Sequence, residues 1–118
     1  MPSISFRLPY CADLTANHYL GRRRDGRVYV KKHVALWTMA LINEIRYRLD
    51  GSMLGPPLTI RIDWQGPQQP DEDGRCKVIW DAVQQATGIN DACFIPEPGS
   101  YQRRPAREAE ITVTIRWE

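Results

Sequence analysis

The 118-residue chain is 42% hydrophobic and 25% charged, an ordinary globular balance that argues against disorder. No apolar run approaches the ~20 residues needed to cross a bilayer, and Met1 to Arg7 lacks the basic start and long apolar stretch of a secretion signal. The formal net charge is only +2, but four of the fourteen acids are Asp71, Glu72, Asp73 and Asp91, which leaves sixteen basic residues against ten acids elsewhere. An acidic site on an otherwise basic body suits a polyanion held against metal ions.

The length fits one domain, residues 1–118, with a modest core that pairing into a homodimer would enlarge. Cys11, Cys76 and Cys93 form no CxxC pair and leave an odd thiol in any disulfide scheme. Reduced thiols in a cytoplasmic protein are therefore expected, with Cys76 and Cys93 as small core residues rather than ligands.

In chain order, Ser3 to Leu8 alternates polar and apolar residues and predicts a first strand, ended by Pro9. Leu14 to Gly26 is polar and basic and reads as a loop, and Arg27 to Lys31 as a short strand. From Lys32 to Leu49 the period changes. Val34, Trp37, Leu41, Ile45 and Leu49 recur at three- and four-residue spacing, the stripe of an amphipathic helix. Gly51 and Gly55-Pro56-Pro57 stop it.

Leu58 to Trp64 alternates again as a strand, and Gly66 to Pro70 is a loop. A second helix is predicted from near Asp73 to about Ala86, with Cys76, Ile79, Trp80 and Val83 inward and Gly88 just past its end. Pro96, Pro98 and Gly99 weaken any strand after Asp91, leaving room for a short one over Ala92 to Ile95. Glu110 to Trp117 is the last strand. This order predicts an α+β domain with a small mixed sheet and two main helices.

The chemistry-bearing residues sit where the loop meets the second helix. Asp71 and Asp73 are two apart in an extended lead-in, so their side chains point to one side. Lys77 then follows Asp73 by one helical turn, with Asp81 one turn further. Magnesium takes oxygen ligands, so two or three carboxylates plus phosphate oxygens suffice to hold it, and a lysine can assist the departing oxygen. The same residues also read as an ordinary helix cap and a solvated ion-pair ladder, and Asp91 as a turn residue. Arg22, Arg23, Arg24, Arg27, Lys31 and Lys32, with one acid among them, suit sequence-independent phosphate contacts, or else form a solvated loop. His18 is a lone loop histidine. No Ser-His-Asp set, zinc spacing or glycine-rich phosphate loop is present.

The run Asp71-Glu72-Asp73-Gly74-Arg75-Cys76-Lys77-Val78-Ile79-Trp80-Asp81-Ala82-Val83, followed by Gly88-Ile89-Asn90-Asp91, resembles the signature of the RusA family of Holliday junction resolvases. That signature reads Asp-x-Asp-Asn-x-x-Lys-x-x-x-Asp-Ala-Leu, then a glycine and an acidic pair. Leu14-Thr15-Ala16-Asn17-His18-Tyr19, the arginine-rich stretch and Arg27-Val28-Tyr29-Val30 before a long helix match the family's opening. The resemblance implies a homodimeric endonuclease that resolves four-way DNA junctions with magnesium, manganese being a substitute. It implies no small-molecule cofactor and no membrane partner, and a recombination or repair setting in a bacterial or phage-infected cell. Matched by position, its essential residues are Asp71, Asp73, Lys77 and Asp91, the three aspartates as metal ligands. Gly74 replaces the usual asparagine and Asn90 the first acid of the pair. Two further readings stay open: a protein of this fold that binds branched DNA without cutting, and a nuclease for other branched DNA. An interaction module whose acids are only caps is a third.

Overall fold

The last strand of the chain lies in the middle of the sheet. The computed structural model describes residues 2–14, 18–49, 54–70 and 76–118. Strand β1 (Ser3–Pro9) pairs antiparallel with β7 (Glu110–Arg116), and β7 pairs antiparallel with β4 (Leu58–Gly66). On the other edge of β4 run two short parallel strands. Strand β5 (Phe94–Glu97) lies beside Leu58 to Arg61, and β6 (Tyr101–Arg103) beside Trp64 to Gly66. The fold is thus α+β, with a mixed sheet and two helices.

Alternation puts one side of each long strand into the core. Leu58, Ile60, Ile62 and Trp64 are buried with Ile111, Val113, Ile115, Phe6 and Leu8. Over this face pack helix α1 (Lys32–Arg48) and helix α2 (Lys77–Thr87), which also pack on each other. Val34, Trp37, Leu41 and Ile45 form the expected stripe of α1, widened by Ile42. Trp37 is in the core and donates from Nε1 to the Pro9 carbonyl at 2.8 Å, so it is not available to a subunit interface. Trp80 meets Phe94 edge to face, with centroids 5.4 Å apart, and fastens α2 over β5.

The opposite face of the sheet is polar. There Arg116 pairs with Glu97 at 2.9 Å, Arg61 with Asp63 at 3.1 Å and Arg7 with Glu110 at 3.6 Å. Among the described residues no helix is long and apolar enough to cross a membrane.

Three expectations need correction. The segment read as a loop from Leu14 to Gly26 contains strand β2 (Leu20–Arg22), which forms an antiparallel hairpin with β3 (Val28–Val30). Helix α2 starts at Lys77 rather than near Asp73, because Cys76 is its extended N-cap residue (φ −68°, ψ 109°). Cys93 is exposed rather than a core residue, while Cys76 is buried as expected. The strand after Asp91 starts at Phe94 and runs through Pro96, which an edge strand tolerates because its missing N–H leaves no gap in an inner ladder. The C-terminus of α2 follows expectation, with Gly88 at φ 77° and its N–H on the Gln84 carbonyl.

Candidate functional site

Asp71 and Asp73 lie outside the described residues, and the site is built from what surrounds segment 71–75. That segment joins the end of β4 to the start of α2. On one flank Pro70 and Gln69 line a cleft of about 410 Å³ with Trp64, Glu97, Ser100 and Tyr101. On the other they line a smaller cleft of about 170 Å³ with Tyr10, Asp13 and His18. Gly99 passes so close to the Ile62 carbonyl that a Cβ would overlap it. Asp63 holds this crossing in place by accepting from Ser100 N–H at 2.9 Å and Ser100 Oγ–H at 2.8 Å. On the α2 side, the Cys76 thiol donates to the Leu14 carbonyl at 3.2 Å. Cys76, the first described residue after the acidic segment, is thus buried and held to packed structure.

Lys77 is the first residue of α2, directly after the extended N-cap Cys76, and the expected one-turn spacing from Asp73 falls outside the described residues. Its ammonium lies 3.9 Å from the Asp81 carboxylate, with both side chains more than half exposed. A solvated pair of this kind contributes little and leaves the amine free to move to a phosphate.

Asp91 opens a 3-10 turn (Asp91–Cys93) just beyond α2. Its backbone N–H donates to the Gln84 side chain at 2.8 Å, while its carboxylate has no hydrogen bond or ion pair among the described residues. Asn90 caps the turn by accepting from Ala92 N–H at 2.8 Å, a local role that an amide fills as well as an acid. Helix α2 rises about 15 Å from Lys77 to Thr87, and Asp91 meets it at the Gln84 side chain, two turns along from Lys77. Between them Asp81, Gln84, Gln85 and Asn90 line a shallow polar groove. Among the described residues no three His, Cys, Asp or Glu side chains form a metal-holding group.

The basic residues divide by what they touch. Hairpin β2–β3 carries Arg22, Arg23, Arg24 and Arg27 around a tight turn closed by Arg23 N–H on the Arg27 carbonyl and by Gly26 at φ 87°. Gly21 lets the Tyr29 ring lie across it, where a Cβ would overlap the ring. The Arg23 guanidinium sits over that ring, 5.7 Å from its centre. Arg27 pairs with Asp25 at 3.6 Å and Lys31 with Asp13 at 3.6 Å, so these two cations are partly neutralised. Arg22, Arg24 and Lys32 carry no ion pair among the described residues. The root of the hairpin is fixed by Lys31 N–H on the Tyr19 carbonyl, next to His18 and the smaller cleft.

Asp13 has φ 70° and also accepts from His33 Nε2 at 2.9 Å. Beside it, burial pushes the Cys11 thiol up to about 11, with Asp13 adding to the effect, so Cys11 is no nucleophile at neutral pH. Sequence reading passed over Arg103, Arg104 and Arg107, three cations around the end of β6. The signal lies in the run Gln102-Arg103-Arg104-Pro105-Ala106-Arg107, which carries no apolar periodicity. Comparison of the chain with protein-family models and with curated proteins finds no match.

Proposed function

We propose that the chain is a magnesium-dependent endodeoxyribonuclease for branched DNA, RusA-like and homodimeric, with manganese able to replace magnesium. One observation carries the reading: an arginine-bearing hairpin is rooted at the same cleft from which the chain enters its most acidic segment. Phosphates held along the hairpin then pass beside carboxylates, the pairing of charges that a phosphodiester hydrolase needs.

Asp71, Asp73 and Asp91 are the proposed magnesium ligands. The uncommitted carboxylate of Asp91 fits a hard cation that takes oxygen donors. Bound magnesium would supply an activated water and offset charge on the scissile phosphate. Lys77 would shift its ammonium from Asp81 to the phosphate and donate toward the departing oxygen as the phosphorus–oxygen bond breaks and the bond to water oxygen forms. Arg22, Arg23, Arg24 and Lys32 would hold backbone phosphates, with Arg27 and Lys31 joining if Asp25 and Asp13 release them. Two subunits would set two sites against the near two-fold symmetry of a four-way junction.

A branched-DNA-binding protein of the same fold that does not cut is favoured by one observation, the seating of Asp91 against Gln84, two helical turns along α2 from Lys77. Incubating labelled four-way junction, flap and linear duplex with the protein, in magnesium and in chelator, tests the proposal. Magnesium-dependent paired nicks in the junction support it. Cutting of flaps alone moves the substrate, and tight binding with no product on any substrate selects the non-cutting reading.

A further inference from the structure

Most arginines of the sheet are spoken for. Arg7, Arg61 and Arg116 each hold a carboxylate on the open face. Arg103, Arg104 and Arg107 differ, because their side chains have no ion pair or hydrogen bond among the described residues. Of the described acids nearby, Glu110 is paired with Arg7, and the exposed Glu108 has no ion pair among the described residues. Three arginines within five residues make a locally positive surface.

The backbone beneath them is held rigidly. Gln102 and Arg103 pair with Gln65 and Gly66, and Arg104 N–H donates to the Gly66 carbonyl at 3.0 Å. Tyr101 donates its hydroxyl to the same carbonyl at 2.9 Å. Pro105 starts a 3-10 turn (Ala106–Glu108), and Ala109 returns a carbonyl to Tyr10 N–H at 3.3 Å. The cluster is therefore fixed to the end of β4, from which the chain proceeds through Pro70 to Asp71. His18 at the hairpin root and Tyr101 of β6 line two neighbouring clefts that share Trp64, Gln69 and Pro70.

We propose that Arg103, Arg104 and Arg107 form a second phosphate-binding surface, holding DNA backbone where β6 meets the end of β4. This rests on the reading of the chain as a DNA-binding enzyme. Together with the hairpin it would give the DNA two separate sets of backbone contacts. Such contacts position without reading sequence.

Affinity for a four-way junction is measured against salt concentration in the absence of divalent metal, for wild type, for Arg103→Ala/Arg104→Ala/Arg107→Ala and for the corresponding triple lysine variant. The alanine variant is expected to bind more weakly and to lose about 2–3 from the slope of log affinity against log salt, one phosphate contact per arginine at roughly 0.9 each. The lysine variant keeps the charge and is expected to retain the wild-type slope, which separates charge from folding. Wild type that binds while the alanine variant matches its affinity and slope overturns this inference and leaves the hairpin reading intact. Wild type that binds no DNA overturns both.

Discussion

Strands β4 and β3 are made of the same kind of residue and meet opposite surroundings. In β4, Ile60 is fully buried and every second residue is shielded by helices. In β3, Val28 is 54% exposed, and Leu20, Tyr29 and Val30 beside it are also open to solvent. A two-stranded ribbon with no cover on either face is marginal on its own in water. Leaving apolar and arginine side chains on such a ribbon gains the fold little. The sheet therefore holds the chain together, and the hairpin adds little to the core.

Substitutions in the two strands sharpen that contrast. Ile60→Ala should lower the unfolding free energy by about 2–5 kcal/mol, because it leaves a cavity in a packed core. Val28→Ala should change it by no more than about 0.5 kcal/mol. Urea denaturation of both variants measures this, and equal losses would show that the hairpin is packed in solution. Next in size, Arg22→Ala/Arg23→Ala/Arg24→Ala should leave the denaturation midpoint unchanged and weaken binding to every DNA sequence. Its salt dependence should flatten by about 2–3 in slope. An unchanged slope would remove the hairpin from the interface.

The smallest effect concerns the thiols. At neutral pH the exposed Cys93 should alkylate first, Cys11 slowly because burial and Asp13 keep it protonated, and buried Cys76 last. Since the Cys11 pKa is raised, its labelling should accelerate only as pH climbs toward about 11. Mass spectrometry at pH 7 and pH 10 follows both sites. Rapid labelling of Cys11 at pH 7 would contradict its burial.

The legible parts of the fold are those with one covered face. The alternation of β4 and the stripe of α1 follow directly from the side that meets the core. Strand β2 left no such trace, because Leu20, Gly21 and Arg22 have no buried face to impose a period. The start of α2 was displaced because Cys76 takes an extended conformation, with its thiol on the Leu14 carbonyl, a long-range contact that no local pattern carries. Strand β6 depends likewise on Tyr101 reaching Gly66.

For the site, residue types were legible and assembly was not. The family resemblance groups Lys77 with Asp91, whereas Asp91 meets α2 at Gln84, two turns beyond Lys77. Spacing also gave no hint that Asp25 and Asp13 draw Arg27 and Lys31 into ion pairs.

The central claim is that Asp73 belongs to a magnesium site that cuts DNA held by the basic surface. The most direct measurement compares wild type with Asp73→Asn on one labelled four-way junction, recording binding and magnesium-dependent nicking in the same samples. The account predicts that wild type nicks the junction in pairs, while Asp73→Asn binds it as well or more tightly, with less repulsion of phosphate, and produces no cut. Wild-type nicking by Asp73→Asn would contradict it.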